Sequence, residues 1–173
     1  MIKKKILIIG AESKIGKSLY FYLKKKNFKV VGTSRKKKSK LNYLNLSWNI
    51  KNWPDLFQCD VIICCAGITK IKDCDENKSL SKKINFYSLN KIIQKYKIKN
   101  KTQIIFFSST NVFDGKKEFM KPKDRRLPQN NYGKLKKISE DLVLKNNGLV
   151  IRVGKIVDGL EDLLLKWIKL LKK

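Results

Sequence analysis

Apolar residues along this chain fall into short unbroken runs and into spaced sets, and the two alternate. Lys5 to Gly10 is a run rich in isoleucine that ends at a glycine, and it predicts a buried strand. Ile15, Leu19, Tyr20 and Leu23 then recur at helical spacing and predict a helix from Ile15 to Lys26. Phe28 to Thr33 predicts a second strand, so the first 33 residues have the length of a βαβ crossover. Leu41 to Leu46 predicts a short strand, and Trp53-Pro54 begins or precedes a short helical turn. Asp60 to Cys65 is another buried strand, closed by Ala66-Gly67. Ser79 to Lys97 reads as a helix with Ile84, Tyr87, Leu89, Ile92, Ile93 and Tyr96 on its apolar side. Gln103 to Phe107 predicts a strand ended by Ser108-Ser109-Thr110. Residues 114–130 are polar, hold two of the three prolines and predict a loop. A helix from Asn131 to Lys145, a strand from Gly148 to Val153 and an apolar helix from Leu160 to Leu171 complete the pattern. Strands alternating with helices predict an α/β fold, a doubly wound parallel sheet with helices on both faces.

Composition narrows the picture. A chain of 173 residues with 42% hydrophobic content suits one domain with a real core. No apolar run reaches the length of a membrane span, and the apolar start is too short for a signal peptide. The four cysteines form no CxxC pair and there is no histidine, so no metal site is expected. Adjacent Cys64 and Cys65 read as small apolar strand residues in a reducing, cytoplasmic setting. The net charge of +27 invites a nucleic-acid or anionic-membrane reading. Of the 41 basic residues, however, only Arg35, Arg125, Arg126 and Arg152 are arginines, the type favoured for specific phosphate and base recognition. The lysines are spread over the whole chain, as compositional bias and solvated helix faces would spread them. No specific nucleic-acid partner is expected, only non-specific polyanion binding at low salt.

Candidate chemistry gathers where the strands end. After the first strand comes Gly10-Ala11-Glu12-Ser13-Lys14-Ile15-Gly16. A glycine there permits a tight turn, a second permits close helix–sheet packing, and the helix N-terminus between them offers N–H groups to a pyrophosphate. The usual dinucleotide fingerprint has three glycines, and Ser13 stands in place of the middle one. An NAD site usually places an acid after the second strand, whereas this chain has Thr33-Ser34-Arg35-Lys36-Lys37-Lys38. That favours a 2′-phosphate, hence NADP, with Arg35 as its ligand, although NAD stays open. Small residues at Cys65-Ala66-Gly67 would let a cofactor approach the sheet edge. On the helix from Asn131, Tyr132 and Lys136 stand at i and i+4 on one face. A phenol titrates near pH 10, and a neighbouring ammonium would lower that value, so the pair is a candidate general acid/base.

The set Gly10-Ala-Glu-Ser-Lys-Ile-Gly16, Cys65-Ala66-Gly67, Phe107-Ser-Ser-Thr-Asn-Val-Phe-Asp-Gly115, Tyr132-Gly-Lys-Leu-Lys136 and Ile151-Arg-Val-Gly154 resembles the extended short-chain dehydrogenase/reductase superfamily. Within it the order and spacing are most similar to dTDP-4-dehydrorhamnose reductases and related sugar-nucleotide reductases and epimerases. The resemblance implies a Rossmann-like, NAD(P)-binding oxidoreductase of the Tyr-Lys-Ser type. It makes Tyr132 the general acid, Lys136 its pKa-lowering partner and a ribose ligand, and Ser109 the hydroxyl that orients the substrate carbonyl. Asn85 resembles the family's helix asparagine. The implied cofactor contacts are Gly10, Ser13, Lys14, Ile15, Gly16, Ser34, Arg35, Cys65, Ala66, Gly67, Tyr132 and Lys136. The implied substrate is a nucleotide sugar whose keto group is reduced.

The family's chain continues beyond this point, into a further strand and most of the sugar-nucleotide domain. Residues 1–173 are therefore expected to form a single NAD(P)-binding domain, with 153–173 the start of a truncated substrate-binding part and most of that part absent. A truncated product, a split protein with a separate partner and a degenerate domain that keeps cofactor binding all fit. The apolar face of Leu160 to Leu171 would then be exposed, or paired in a homodimer or with a missing partner chain. Three functions stand: a nucleotide-sugar reductase or epimerase/dehydratase, a dinucleotide-binding module without turnover, and a polyanion-binding protein.

Overall fold

A computed structural model describes residues 4–54, 58–100 and 102–154. Six strands form one sheet: β1 (Lys5–Ile9), β2 (Lys29–Ser34), β3 (Asn42–Tyr43), β4 (Val61–Cys64), β5 (Gln103–Ser109) and β6 (Leu149–Val153). All neighbours are parallel and the order is β3-β2-β1-β4-β5-β6. The chain starts in the middle of the sheet, winds outward one way through β2 and β3, then returns and winds the other way. The predicted doubly wound Rossmann-like fold is the one observed. Its strand order reverses between β1 and β4, the place where such sheets bind ligands beyond their carboxyl ends.

The unbroken apolar runs are explained by burial on both faces. Successive strand residues point to opposite sides, so each side needs its own apolar set. Leu7, Ile9, Ile62, Cys64, Ile104 and Phe106 face one core, filled by Leu89, Ile92, Ile93, Tyr96 and Val143. Ile6, Ile8, Val61 and Ile63 face the other, against Ala11, Leu19, Tyr20 and Leu23. The helix α1 (Lys14–Lys25) supplies that second layer, and α5 (Asn131–Lys145) contributes to the first.

The predicted helix from Ser79 differs most. It is preceded by α2 (Ile71–Glu76) and is broken into α3 (Lys78–Lys82), a π-helical turn over Lys83–Tyr87, and α4 (Ser88–Asn100). A π turn inserts an extra residue and rotates the face that follows. Asn85 is thereby turned inward, and Tyr87, expected on the apolar side, is 44% exposed. Two smaller shifts occur. The third strand shortens to two residues, and a helical turn lies at Ile50–Asn52, just before Trp53; residues 55–57, where a turn after Pro54 would fall, lie outside the described residues. The predicted helix Leu160 to Leu171 lies outside the described residues.

Candidate active site

The turn after β1 is built by Gly10, whose φ is +83°. A side chain there would be strained, and a Cβ would come within 2.7 Å of the Ala66 Cβ. The turn therefore sits directly on the strand end Cys65-Ala66-Gly67. Ser13 caps α1, its Oγ accepting the Gly16 N–H at 3.1 Å. The serine thus does local work that a glycine could not, while the turn keeps its form. Gly10 and Ala11 also donate to Thr33, through its Oγ1 and its carbonyl at 3.0 and 2.9 Å, which ties the turn to the end of β2.

At that strand end the structure adds a residue that the sequence reading left out. Residues 33–38 hold no acid, yet Glu12 reaches across from the turn. Its carboxylate accepts from the Ser34 and Ser39 hydroxyls at 2.6 and 3.0 Å, and the Lys36 ammonium lies 3.6 Å away. Those two hydroxyls and then Lys36 hold its pKa below the ordinary carboxylate value. Arg35 is exposed beside this cluster. The one available signal was an acid inside a glycine turn of an otherwise basic chain.

Tyr132 and Lys136 lie on the buried face of α5, which continues through Ser139, Glu140 and Val143. Asn130 caps this helix by accepting the Gly133 N–H at 2.8 Å. Gly133 is required by contact: a Cβ there would run into the Asn111 carbonyl oxygen and reach within 2.9 Å of Pro128. That contact holds the start of α5 against the end of β5, where Ser109 stands. Ser109 Oγ accepts from the Asn111 side chain at 3.0 Å and stands near enough to the Tyr132 phenol to lower its pKa. Ser109 and Lys136 thus both lie beside Tyr132; spacing had put Tyr132 and Lys136 on one helix face, and the family resemblance had added Ser109.

The electrostatics differ from that expectation. Lys136 is 9% exposed, and its Nζ donates to the Phe107 carbonyl at 2.6 Å. It lies 4.4 Å from the Phe106 ring centroid and 5.7 Å from that of Tyr132. Burial pushes its pKa down to about 8. Burial likewise raises the Tyr132 pKa, and the Ser109 hydroxyl only partly opposes it. In this arrangement the phenol is a held proton rather than a phenolate. Cys65, at the end of β4, has its thiol pushed up to about 12 by burial, which keeps it a protonated packing residue.

Asn85 is fixed on two sides. Its Oδ1 accepts the Ile68 N–H at 2.7 Å and its Nδ2 donates to the Ile68 carbonyl at 2.9 Å. Its own carbonyl accepts from Ser139 Oγ at 3.1 Å, which links the π turn to the Tyr132 helix. Behind the site lies a cluster absent from the sequence reading. Glu140 is fully buried and takes two bonds from Arg152, at 2.8 and 2.7 Å, and one from Arg126 at 2.9 Å. Burial alone would raise its carboxyl pKa; the Arg152 and Arg126 bonds outweigh it and the net shift is downward. Its signal was an acid four residues beyond Lys136, on the face that has to be buried. A cavity of about 850 Å³ opens beside this region, lined among others by Thr110, Asn111, Phe113, Gln129, Asn130 and Arg152.

A parallel doubly wound sheet, with a tight glycine turn at its switch point and Ser109, Tyr132 and Lys136 beyond its strand ends, defines a Rossmann-like α/β class of protein. A family profile described as the RmlD substrate binding domain matches residues 4–172, and the chain belongs to that family. Among curated proteins it is similar to methionine adenosyltransferase 2 subunit beta of Rattus norvegicus, 27% identical over 165 residues. That match covers 92% of this chain and 49% of the relative, so the chain spans about half the length of the curated relatives it matches. Among solved structures it is similar to a hypothetical dTDP-4-dehydrorhamnose reductase from Sulfolobus tokodaii, with a TM-score of 0.77 and 28% identity over 90% of this chain and 57% of that one. The dTDP-4-dehydrorhamnose reductase of Bacillus anthracis, solved with NADP, shares the fold at a TM-score of 0.76 and 20% identity, covering 98% of this chain and 61% of its own.

Proposed function

We propose that the chain is the dinucleotide-binding part of an NADP-dependent reductase acting on the keto group of a nucleotide sugar. The observation that carries this reading is the joining of Ser109, Tyr132 and Lys136 at the carboxyl end of the sheet, beside the glycine turn. The site fits a nicotinamide dinucleotide: the Gly10 turn lies flat on Ala66, and the capped start of α1 presents its N-terminus there. Gly10, Ser13, Lys14, Ile15 and Gly16 would hold the pyrophosphate, Ser34 and Arg35 the adenosine ribose, and Tyr132 and Lys136 the other ribose. Arg35 and Lys36, exposed after β2, support NADP, and NAD is also admitted.

When bound, the reduced nicotinamide supplies a hydride. The chain's own residues handle the proton. Ser109 donates toward the substrate carbonyl oxygen and orients it. Tyr132, whose phenol stays protonated through neutral pH, delivers the proton that oxygen needs as it becomes an alcohol. Lys136 supplies positive charge beneath the developing alkoxide while it is ionised. NADPH oxidation with a 4-keto nucleotide sugar tests the reading. Tyr132→Phe is expected to lower turnover by about 10²- to 10⁴-fold while cofactor affinity falls far less, since Lys136 and the glycine turn remain. A variant as active as the parent refutes the assignment.

A second reading is a dinucleotide-binding subunit without turnover. The likeness to a protein named as a subunit of methionine adenosyltransferase favours it. It is told apart by NADPH binding that no keto sugar discharges.

A further inference from the structure

The dinucleotide reading leaves one contact at the strand ends unexplained. Glu12 is the residue before Ser13 in the glycine turn, and such turns place their free groups toward the phosphates of a nucleotide. A carboxylate there is electrostatically misplaced for an anionic ligand unless it has another task. The structure shows what holds it: it is clamped between the hydroxyls of Ser34 and Ser39, 22 and 27 residues further along. Ser34 in turn accepts the Lys36 N–H at 3.0 Å, and Ser39 accepts the Leu41 N–H at 3.2 Å. Both hydroxyls are therefore aimed at the carboxylate by backbone bonds on their other side.

That position is the end of the second strand, where dinucleotide folds read the adenosine ribose. An acid there accepts from the 2′-hydroxyl of NAD, and a basic residue accommodates the 2′-phosphate of NADP. Here both kinds are present. Arg35 and Lys36 come from the strand end, and the acid arrives from the turn. Building on the proposed dinucleotide site, we propose that Glu12 is a specificity-determining residue: its carboxylate stands at the ribose 2′ position, opposes the 2′-phosphate, and weakens the NADP preference that Arg35 and Lys36 provide. Lys36, 3.6 Å from the carboxylate, is partly engaged by it and so less available to a phosphate. Removing the charge frees Lys36 and lifts a like-charge repulsion together, and both changes favour NADP.

The test is direct binding of NADH and NADPH to the full chain, followed by calorimetry and by nicotinamide fluorescence. Glu12→Gln keeps polar atoms for Ser34 and Ser39 but removes the charge. It is expected to raise the NADPH-to-NADH affinity ratio by about tenfold, or about 1.4 kcal/mol, mostly through tighter NADPH binding. Lys36→Ala, at an exposed lysine, is expected to lower the same ratio and serves where the glutamine variant folds poorly. If both dinucleotides bind but Glu12→Gln leaves the ratio within twofold of the parent, the assignment of Glu12 is overturned and the proposed function stands. Binding of neither dinucleotide by the parent or the variants overturns both.

Discussion

Replacing Glu140 with alanine should be among the most damaging single changes in this chain. The side chain is fully buried, and its two oxygens receive three charge-assisted bonds from Arg126 and Arg152. Hydrogen bonds to charged groups contribute about 1.5 to 3 kcal/mol each at most, and breaking a buried pair from one side costs about 3 to 5 kcal/mol. Both guanidinium groups keep some access to water, at 21% and 18% side-chain exposure, so the lower end applies. We expect a loss of about 3 kcal/mol and a fall in melting temperature of roughly 6 to 12 °C for a domain of this size. Urea titration and thermal melting by circular dichroism measure it. A double-mutant cycle with Arg152→Met isolates the pair. The pH dependence supplies a second arm. The folded carboxyl pKa lies below its ordinary value of 4.5, so the unfolded chain binds its proton first as pH falls. The stabilisation is then present above that ordinary value and is lost as pH drops through the lowered folded one. A loss under about 1 kcal/mol, together with an unchanged acid limb, would refute the reasoning.

Two further changes have clear expected outcomes. Lys136 titrates near pH 8 when folded and near 10.5 when unfolded, so between those values the unfolded chain holds more protons and stability rises with pH. Lys136→Met should abolish that alkaline rise in a plot of unfolding free energy against pH, and its persistence would show that the ammonium is not buried. Asn85→Leu removes both bonds to the Ile68 backbone; the Ile68 carbonyl keeps the Cys74 thiol at 3.4 Å while the Ile68 N–H loses its partner, for an expected loss of about 1 to 3 kcal/mol in denaturant unfolding. A neutral outcome would mean that the π turn is held by packing and by the Ser139 bond to the Asn85 carbonyl, not by the carboxamide.

Most of the fold was legible because the strands other than β3 are short apolar runs closed by a small residue, and α1 and α5 keep one period throughout. Legibility stopped where tertiary contacts overrode local pattern. Residues 79–97 read as one helix because a π turn changes phase by a single residue, a shift that propensity does not encode; the reason for it, the Asn85 clasp on Ile68, spans 17 residues. The site divides the same way. Tyr132 and Lys136 were placed by their spacing alone. Glu12 was not, because its partners lie 22 and 27 residues away across a βα unit. The direction of the Tyr132 shift was missed for a related reason: spacing shows who the neighbour is, but not how dry the place is in which both residues stand.

The Asn85 clasp has a consequence for how this chain can vary. The carboxamide grips the peptide unit of residue 68 by its N–H and its carbonyl and makes no hydrogen bond to the isoleucine side chain. The demand on position 68 is thus one of backbone shape. Any residue able to take that shape satisfies the clasp, and proline, which has no N–H, does not. Position 68 is free to drift while position 85 is pinned, and a library randomised at both would recover a broad range of residues at 68 against little but asparagine at 85.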